Sequence, residues 1–278
     1  MNNKMPDLQI LPVDQLLRHE WHDEQRAKPL VDRLRSSGVL RNPPIVTALG
    51  DDSGRYMVLD GANRTTALGQ MAIPHTICQV VEANDPGLQL KTWNHVLWEM
   101  NPDKLLEKLE ELEGITLKPI NPKKKLESLW PQKTLVWVQT ADGKAYIARS
   151  DPTDLTNQAR QLAAIADSYS SDARLDRTRA NQISELDGIY SQLCALVVYP
   201  PFEVSDVQKL CSDGVLLPPG VTRFTISPRA LRVNYPLEDL AADKSLSEKN
   251  RALERWQNER VARKGVRYYD EATVLYDE

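Results

Sequence analysis

The segment Val58-Leu-Asp-Gly-Ala-Asn-Arg-Thr-Thr-Ala-Leu68 constrains the chain more than any other. Apolar residues run into a carboxylate at Asp60, a glycine follows, and Asn63-Arg-Thr-Thr66 opens a stretch suited to a helix. A strand that turns on glycine into a helix leaves backbone N–H groups unpaired at the positive end of the helix dipole. Arg64 can grip two phosphate oxygens at once, and Thr65 and Thr66 add hydroxyls. Gly61, Asn63, Arg64, Thr65 and Thr66 thus have the parts of an anion site. The same spacing also describes an ordinary helix capped by Asn63 with Arg64 in solvent.

The flanking sequence predicts mixed α/β structure. Leu8–Val13, Pro43–Thr47, Arg55–Leu59 and Thr76–Val81 read as strands, with a turn at Gly50–Gly54. Ala27, Leu30, Val31 and Leu34 keep the i, i+3, i+4, i+7 spacing of an amphipathic helix that Gly38 would stop. Farther on, helical stripes run through Leu105, Leu106, Leu109 and Leu112, then Leu155, Ala159, Leu162, Ala163 and Ala166, then Val204, Val207, Leu210 and Cys211. Thr134–Gln139 and Lys144–Ala148 flank Ala141-Asp-Gly143 as a hairpin, and Leu193–Tyr199 reads as a buried strand. Pro119–Lys125 is expected as a surface loop and residues 243–264 as a solvated, charged helix. A domain boundary is expected near residue 90.

Composition narrows the classes of function. With 35 Lys+Arg against 39 Asp+Glu the net charge is −4, which argues against a protein whose main task is coating nucleic acid. A hydrophobic share of 41% rules out wholesale disorder. The apolar run Cys194–Tyr199 is far short of the roughly 18 residues that span a bilayer. The first residues lack the apolar core of a secretion signal, so a cytoplasmic location is expected. Three scattered cysteines, Cys78, Cys194 and Cys211, suggest neither a disulfide framework nor a zinc cage.

Further candidates stand apart from the glycine turn. Arg18-His-Glu20, beside Trp21, offers a carboxylate that partial desolvation would make a base, or an exposed Glu with no such role. Thr92-Trp-Asn-His95 gathers aromatic and polar groups where ligands bind between domains, though Trp93 and Trp98 also suit packing. Arg223, Arg229 and Arg232 fit a carboxylate or phosphate, or surface salt bridges.

Taken together, Leu17-Arg-His-Glu20, Asn42-Pro-Pro-Ile-Val-Thr47 and Val58–Arg64 resemble the ParB/sulfiredoxin-like fold. Sulfiredoxins carry Gly-Cys-His-Arg; the matching cysteine position here is Ala62, so their thiolate chemistry is excluded. Chromosome-partition ParB proteins carry Gly-Glu-Arg-Arg and a helix-turn-helix module, against Asp-Gly-Ala-Asn-Arg and a mixed α/β continuation here. The third branch, the free L-serine kinases, is similar over nearly the whole length. Gly220–Leu237 resembles the siderophore-biosynthesis type in particular.

That resemblance implies a mixed α/β (α+β) chain with a ParB/sulfiredoxin-like nucleotide-binding domain over 1–90. A larger C-terminal α/β domain over 91–278 would complete the serine site. It implies phosphoryl transfer from ATP or ADP, with Mg²⁺, to the hydroxyl of free L-serine. Glu20 would be the general base, and Asp60 would orient serine or a Mg²⁺-bound water. Gly61, Asn63, Arg64, Thr65 and Thr66 would hold the donor phosphates. Trp93, His95, Thr222 and Arg223 would form the serine pocket, Arg223 pairing with the substrate carboxylate, and no protein residue is assigned as a metal ligand. Archaeal relatives show Asp-Gly-His-His-Arg where this chain has Ala62 and Asn63, which leaves the choice of donor open. The expected partners are L-serine and a nucleotide, without membrane; a homodimer is compatible with the reading. The alternative is a non-catalytic ParB-like nucleotide-binding regulator that binds DNA or a protein, with Glu20 incidental.

Overall fold

The computed structural model describes residues 5–21, 27–122, 134–150 and 154–269. β1 (Asp7–Pro12) passes through a short 3-10 turn into β2 (Leu16–Leu17). α1 (Lys28–Ser37) buries Val31 and Leu34 and ends at Gly38, whose φ of 66° forms the left-handed cap. β3 (Val39–Leu40), β4 (Ile45–Ala48) and β5 (Tyr56–Asp60) follow, then α2 (Ala62–Gln70) and β6 (His75–Val80). The first sheet has the order β1-β6-β4-β5-β2. Val31 and Leu34 of α1 and Ala67 and Leu68 of α2 pack with Ile10 and Ile77 of that sheet.

β7 (Leu88–Thr92) and β8 (Asn94–Trp98) lead to α3 (Pro102–Glu110) and β9 (Ile115–Ile120). The hairpin of β10 (Thr134–Thr140) and β11 (Ala145–Ser150) precedes α4 (Leu155–Ser170), β12 (Arg174–Thr178), β13 (Leu193–Val198) and α5 (Val204–Ser212). β8 to β13 form a six-stranded antiparallel sheet in the order β12-β8-β13-β10-β11-β9. Leu105, Leu109, Leu162, Ile165, Val207 and Leu210 from the three helices pack with Val136, Val138 and Val197 of the sheet. Trp137, Val96 and Leu196 form a separate core with Leu186. Covered on both faces, β10 has all seven residues buried.

The chain then returns to its beginning. β14 (Thr222–Ile226) pairs with β7, and β15 (Tyr235–Pro236) pairs with β3. α6 (Leu237–Ala241) and α7 (Leu246–Ala262) follow, and Leu237, Leu240 and Leu253 join the core beneath α1 and α2.

The mixed α/β class read from the sequence is what the structure has. Two local expectations are corrected. Pro119 and Ile120 close β9 instead of opening a loop; a proline is tolerated because β9 is the edge strand. Lys123–Lys125 lies outside the described residues. α7 is not solvated all round: Lys249 and Leu253 are buried, and the Asn250 side chain donates to Ile10 O and accepts from Ile10 N, each at 2.9 Å. An amide thus covers the open edge of β1.

Candidate active site

The α2 start is shaped by Gly61. Its φ of 102° suits glycine, and a Cβ there would lie 2.8 Å from Arg64 Nη2 and 3.0 Å from Pro44 Cα. Gly61, not Asn63, is the N-cap, and no side chain caps the first turn. Asn63 is left exposed. Arg64 folds back: Nη2 donates to Asp60 Oδ2 at 2.9 Å and Nη1 to Asn42 O at 3.3 Å. Arg229, from far along the chain, donates to the same Asp60 oxygen. One carboxylate therefore fixes two guanidiniums beside an uncapped helix start.

Glu20 is held by a different route. Leu217 N donates to His19 O at 2.9 Å, and Trp21 N donates to Leu217 O at 3.0 Å, so residues 19–21 run alongside the segment before β14. The Glu20 carboxylate then meets the chain just beyond. Its Oε2 accepts from Gly220 N at 2.7 Å, and Oε1 accepts from Thr222 N at 2.7 Å, Val221 N at 3.1 Å and Thr222 Oγ1 at 2.5 Å. His19 is buried beside it, with Nδ1 2.8 Å from Val58 O and Nε2 2.7 Å from Thr222 Oγ1.

One cleft of about 1280 Å³ joins the two halves, lined by Glu20 and Trp21, by Asp60–Arg64, and by Trp93, Thr222 and Arg223. Arg18, Arg33, Arg41, Arg64, Arg177, Arg223 and Arg229 line it against Glu20, Asp60 and Asp167, so its charge favours a polyanion. Arg223 stacks over Trp93, with Cζ 5.2 Å from the ring centroid, and its buried Nε has no hydrogen-bond partner among the described residues. A guanidinium held in a fixed plane on the cleft wall is suited to a carboxylate.

Not every residue singled out in the sequence reaches this cleft. His95 is buried at 1% exposure, with Nδ1 2.8 Å from Tyr169 OH and Nε2 3.3 Å from Gly220 O. Burial lowers its pKa to about 4, so it sits neutral in the core behind the site. The Thr65 and Thr66 hydroxyls both donate to Ala62 O, at 2.8 and 2.9 Å, and neither residue lines the cleft. The Thr222 hydroxyl is engaged with Glu20 and His19. Arg177 was not found in the sequence because β12 carries no alternating apolar pattern; Arg229 was noticed there but given no place.

Among the described residues no group of three His, Cys, Asp or Glu side chains is placed to hold a metal ion, and Asp60 is occupied by two guanidiniums. The three cysteines are unpaired and buried, and burial raises their pKa values, so none is set up as a thiolate nucleophile. No described helix is long and apolar enough to cross a membrane.

No protein-family model matches the chain. It is 27% identical over 251 residues to the ATP-dependent L-serine kinase SbnI of Staphylococcus aureus, covering 87% of each chain. The structure of SbnI with a C-terminal truncation aligns with a TM-score of 0.70 at 23% identity, over 92% of this chain and 97% of that one. A free serine kinase in complex with AMP aligns with a TM-score of 0.68 at 15% identity, over 86% of this chain and 95% of the other. The fold is therefore that of the free serine kinases, as the sequence resemblance implied.

Proposed function

We propose that this chain is a free L-serine kinase that transfers the terminal phosphoryl group of a nucleotide to the serine hydroxyl, giving O-phospho-L-serine. The observation that carries this reading is the arginine-lined cleft with Glu20 and the Gly61–Arg64 helix start on its walls. A serine hydroxyl is a weak nucleophile, so a positioned carboxylate must take its proton as phosphorus is attacked; Glu20 has that place. The phosphoryl group itself needs alignment and charge stabilisation more than covalent help. The first-turn N–H groups of α2, with Arg64 and Arg229, supply both.

Arg223, stiffened by Trp93, takes the serine carboxylate. Asp60 acts by holding Arg64 and Arg229, not by touching serine. The surplus of guanidinium over carboxylate in the cleft favours ATP over ADP as the donor, in line with the ATP-dependent kinase it resembles over most of its length. Asp60, already occupied by two guanidiniums, would not hold Mg²⁺; a Mg²⁺ brought in with the nucleotide would supply charge stabilisation for the transferred phosphoryl group. Residues 1–90 then supply the base and, with Arg229 from the later chain, the phosphate end, and 91–278 supplies the serine end.

Incubation with L-serine, Mg²⁺ and either ATP or ADP tests the reading, with phosphoserine read by phosphorus NMR. Turnover with ATP exceeding that with ADP is expected. Glu20→Ala should abolish turnover while circular dichroism stays unchanged. No phosphoserine from either donor would overturn the reading.

A further inference from the structure

The Thr222 hydroxyl stands between two acceptors, 2.5 Å from Glu20 Oε1 and 2.7 Å from His19 Nε2. It has one proton and serves one of them at a time. The far side of the imidazole decides what Nε2 can do. Nδ1 lies 2.8 Å from Val58 O, which only accepts, so the ring proton sits on Nδ1 and Nε2 presents a lone pair. Burial also lowers the pKa of His19, which keeps the ring neutral.

The two Glu20 oxygens are unequally loaded. Among the described residues, Oε1 meets three donors, from Val221 N, Thr222 N and Thr222 Oγ1, whereas Oε2 meets only Gly220 N. Oε2 is therefore the oxygen with room for a substrate hydroxyl. Once Oε2 carries a proton, Oε1 loses its share of the negative charge and becomes a weaker, carbonyl-type acceptor, for which the two backbone N–H groups suffice. The Thr222 proton is then surplus at Glu20.

Resting on the serine-kinase reading above, we propose that His19 is a positioning residue for the phosphoryl transfer. It offers Nε2 as the second acceptor for the Thr222 hydroxyl, so that Glu20 can release one hydrogen bond as it accepts the serine proton. In that step the serine Oγ–H bond breaks and an Oε2–H bond forms on Glu20. The freed electron pair on Oγ bonds to phosphorus, and the nucleotide leaves with the electrons of its P–O bond. Thr222 only rotates its hydroxyl, and His19 stays neutral throughout. Without Nε2, the hydroxyl would stay on Oε1 and favour the ionised carboxylate over the protonated one.

His19→Phe tests this, because the ring already packs edge-on against Phe224 at 5.3 Å and an aromatic ring suits the space. The expected result is a kcat lower by about tenfold or more, the scale of one hydrogen bond to a charged group, with KM for serine and nucleotide within about twofold. Adding Thr222→Val to His19→Phe should raise kcat again, since the surplus donor is gone. An unchanged kcat in His19→Phe, or a double variant slower than His19→Phe, would overturn the proposal.

A second measurement needs no variant. Long-range proton–nitrogen NMR of the wild-type protein, with the His19 ring identified through its contact with Phe224, should show Nδ1 protonated and Nε2 bare near neutral pH. A protonated Nε2 overturns the proposal. Wild-type protein that makes no phosphoserine sinks the kinase reading instead, whichever tautomer is found.

Discussion

Gly220 lies against the guanidinium of Arg177 so closely that a Cβ on it would come within 2.0 Å of Arg177 Nε. The same glycine has a φ of +75° and donates its N–H to Glu20 Oε2. Three demands therefore meet at one backbone position: a left-handed turn, room for a cation, and a hydrogen bond that aims the proposed base, Glu20. Gly220→Ala strains the first and blocks the second. We expect about 1–3 kcal/mol lost from stability and kcat reduced at least about tenfold through misplacement of Glu20. Urea denaturation and steady-state kinetics on the purified variant check both.

Arg229 reaches Asp60 from the C-terminal side of the site, where Arg64 is already held at 2.9 Å. Arg229→Ala leaves the Asp60–Arg64 pair intact and removes one charge from the proposed phosphate end of the cleft. KM for the nucleotide should rise roughly tenfold, the scale of one charge-assisted hydrogen bond, while KM for serine moves less than about twofold. Arg64→Ala should cost more, since it also empties the space against which Gly61 packs. Kinetics with each substrate varied in turn separate the two effects.

What the sequence disclosed divides along the line between local and distant contacts. Asp60, Gly61 and Arg64 were legible because a strand end, a glycine and a helix start fall within five residues and the ion pair closes within one turn. Glu20 was singled out as a carboxylate, but its partners Gly220, Val221 and Thr222 lie about two hundred residues away and no local pattern announces that pairing. His95 misled because its neighbours in sequence are polar. β8 is an inner strand of its sheet with Asn94, His95, Val96 and Leu97 all buried, so His95 packs into the core against Tyr169 and Tyr199 instead of reaching the cleft. α7 misled for the opposite reason: its apolar stripe is thin, and beside Leu253 and Trp256 it is docked by an asparagine and a buried lysine.

His95 also sets how the fold responds to acid. Its ordinary pKa of 6.5 is lowered to about 4, first by burial, with the Arg177 charge adding to the effect. The unfolded chain therefore binds a proton at this position that the folded chain refuses, and stability rises with pH across the window between those values. The contribution is complete above about pH 6.5 and is lost as pH falls toward about 4. Between about pH 7.5 and about pH 5, His95 alone should cost roughly 2 kcal/mol, and His19, whose pKa is lowered in the same direction, adds to the slope. Chemical denaturation at those two pH values should show the loss in the wild type. In His95→Gln, which keeps polar contacts but does not titrate, the loss should shrink by about that amount.

The docking of α7 gives the last test, away from the cleft. Asn250 satisfies both the N–H and the C=O of Ile10 on the edge strand β1, and its Nδ2 also donates to Leu246 O at 3.1 Å. Asn250→Ala leaves two backbone groups of a buried residue without their side-chain partner, which costs about 1–3 kcal/mol. Asn250→Asp keeps the acceptor for Ile10 N but places a carboxylate oxygen against Ile10 O, so it should be at least as destabilising as alanine. Thermal melts of both variants beside the wild type decide it. If Asn250→Asp melts above Asn250→Ala, the amide is not what binds α7 to the sheet.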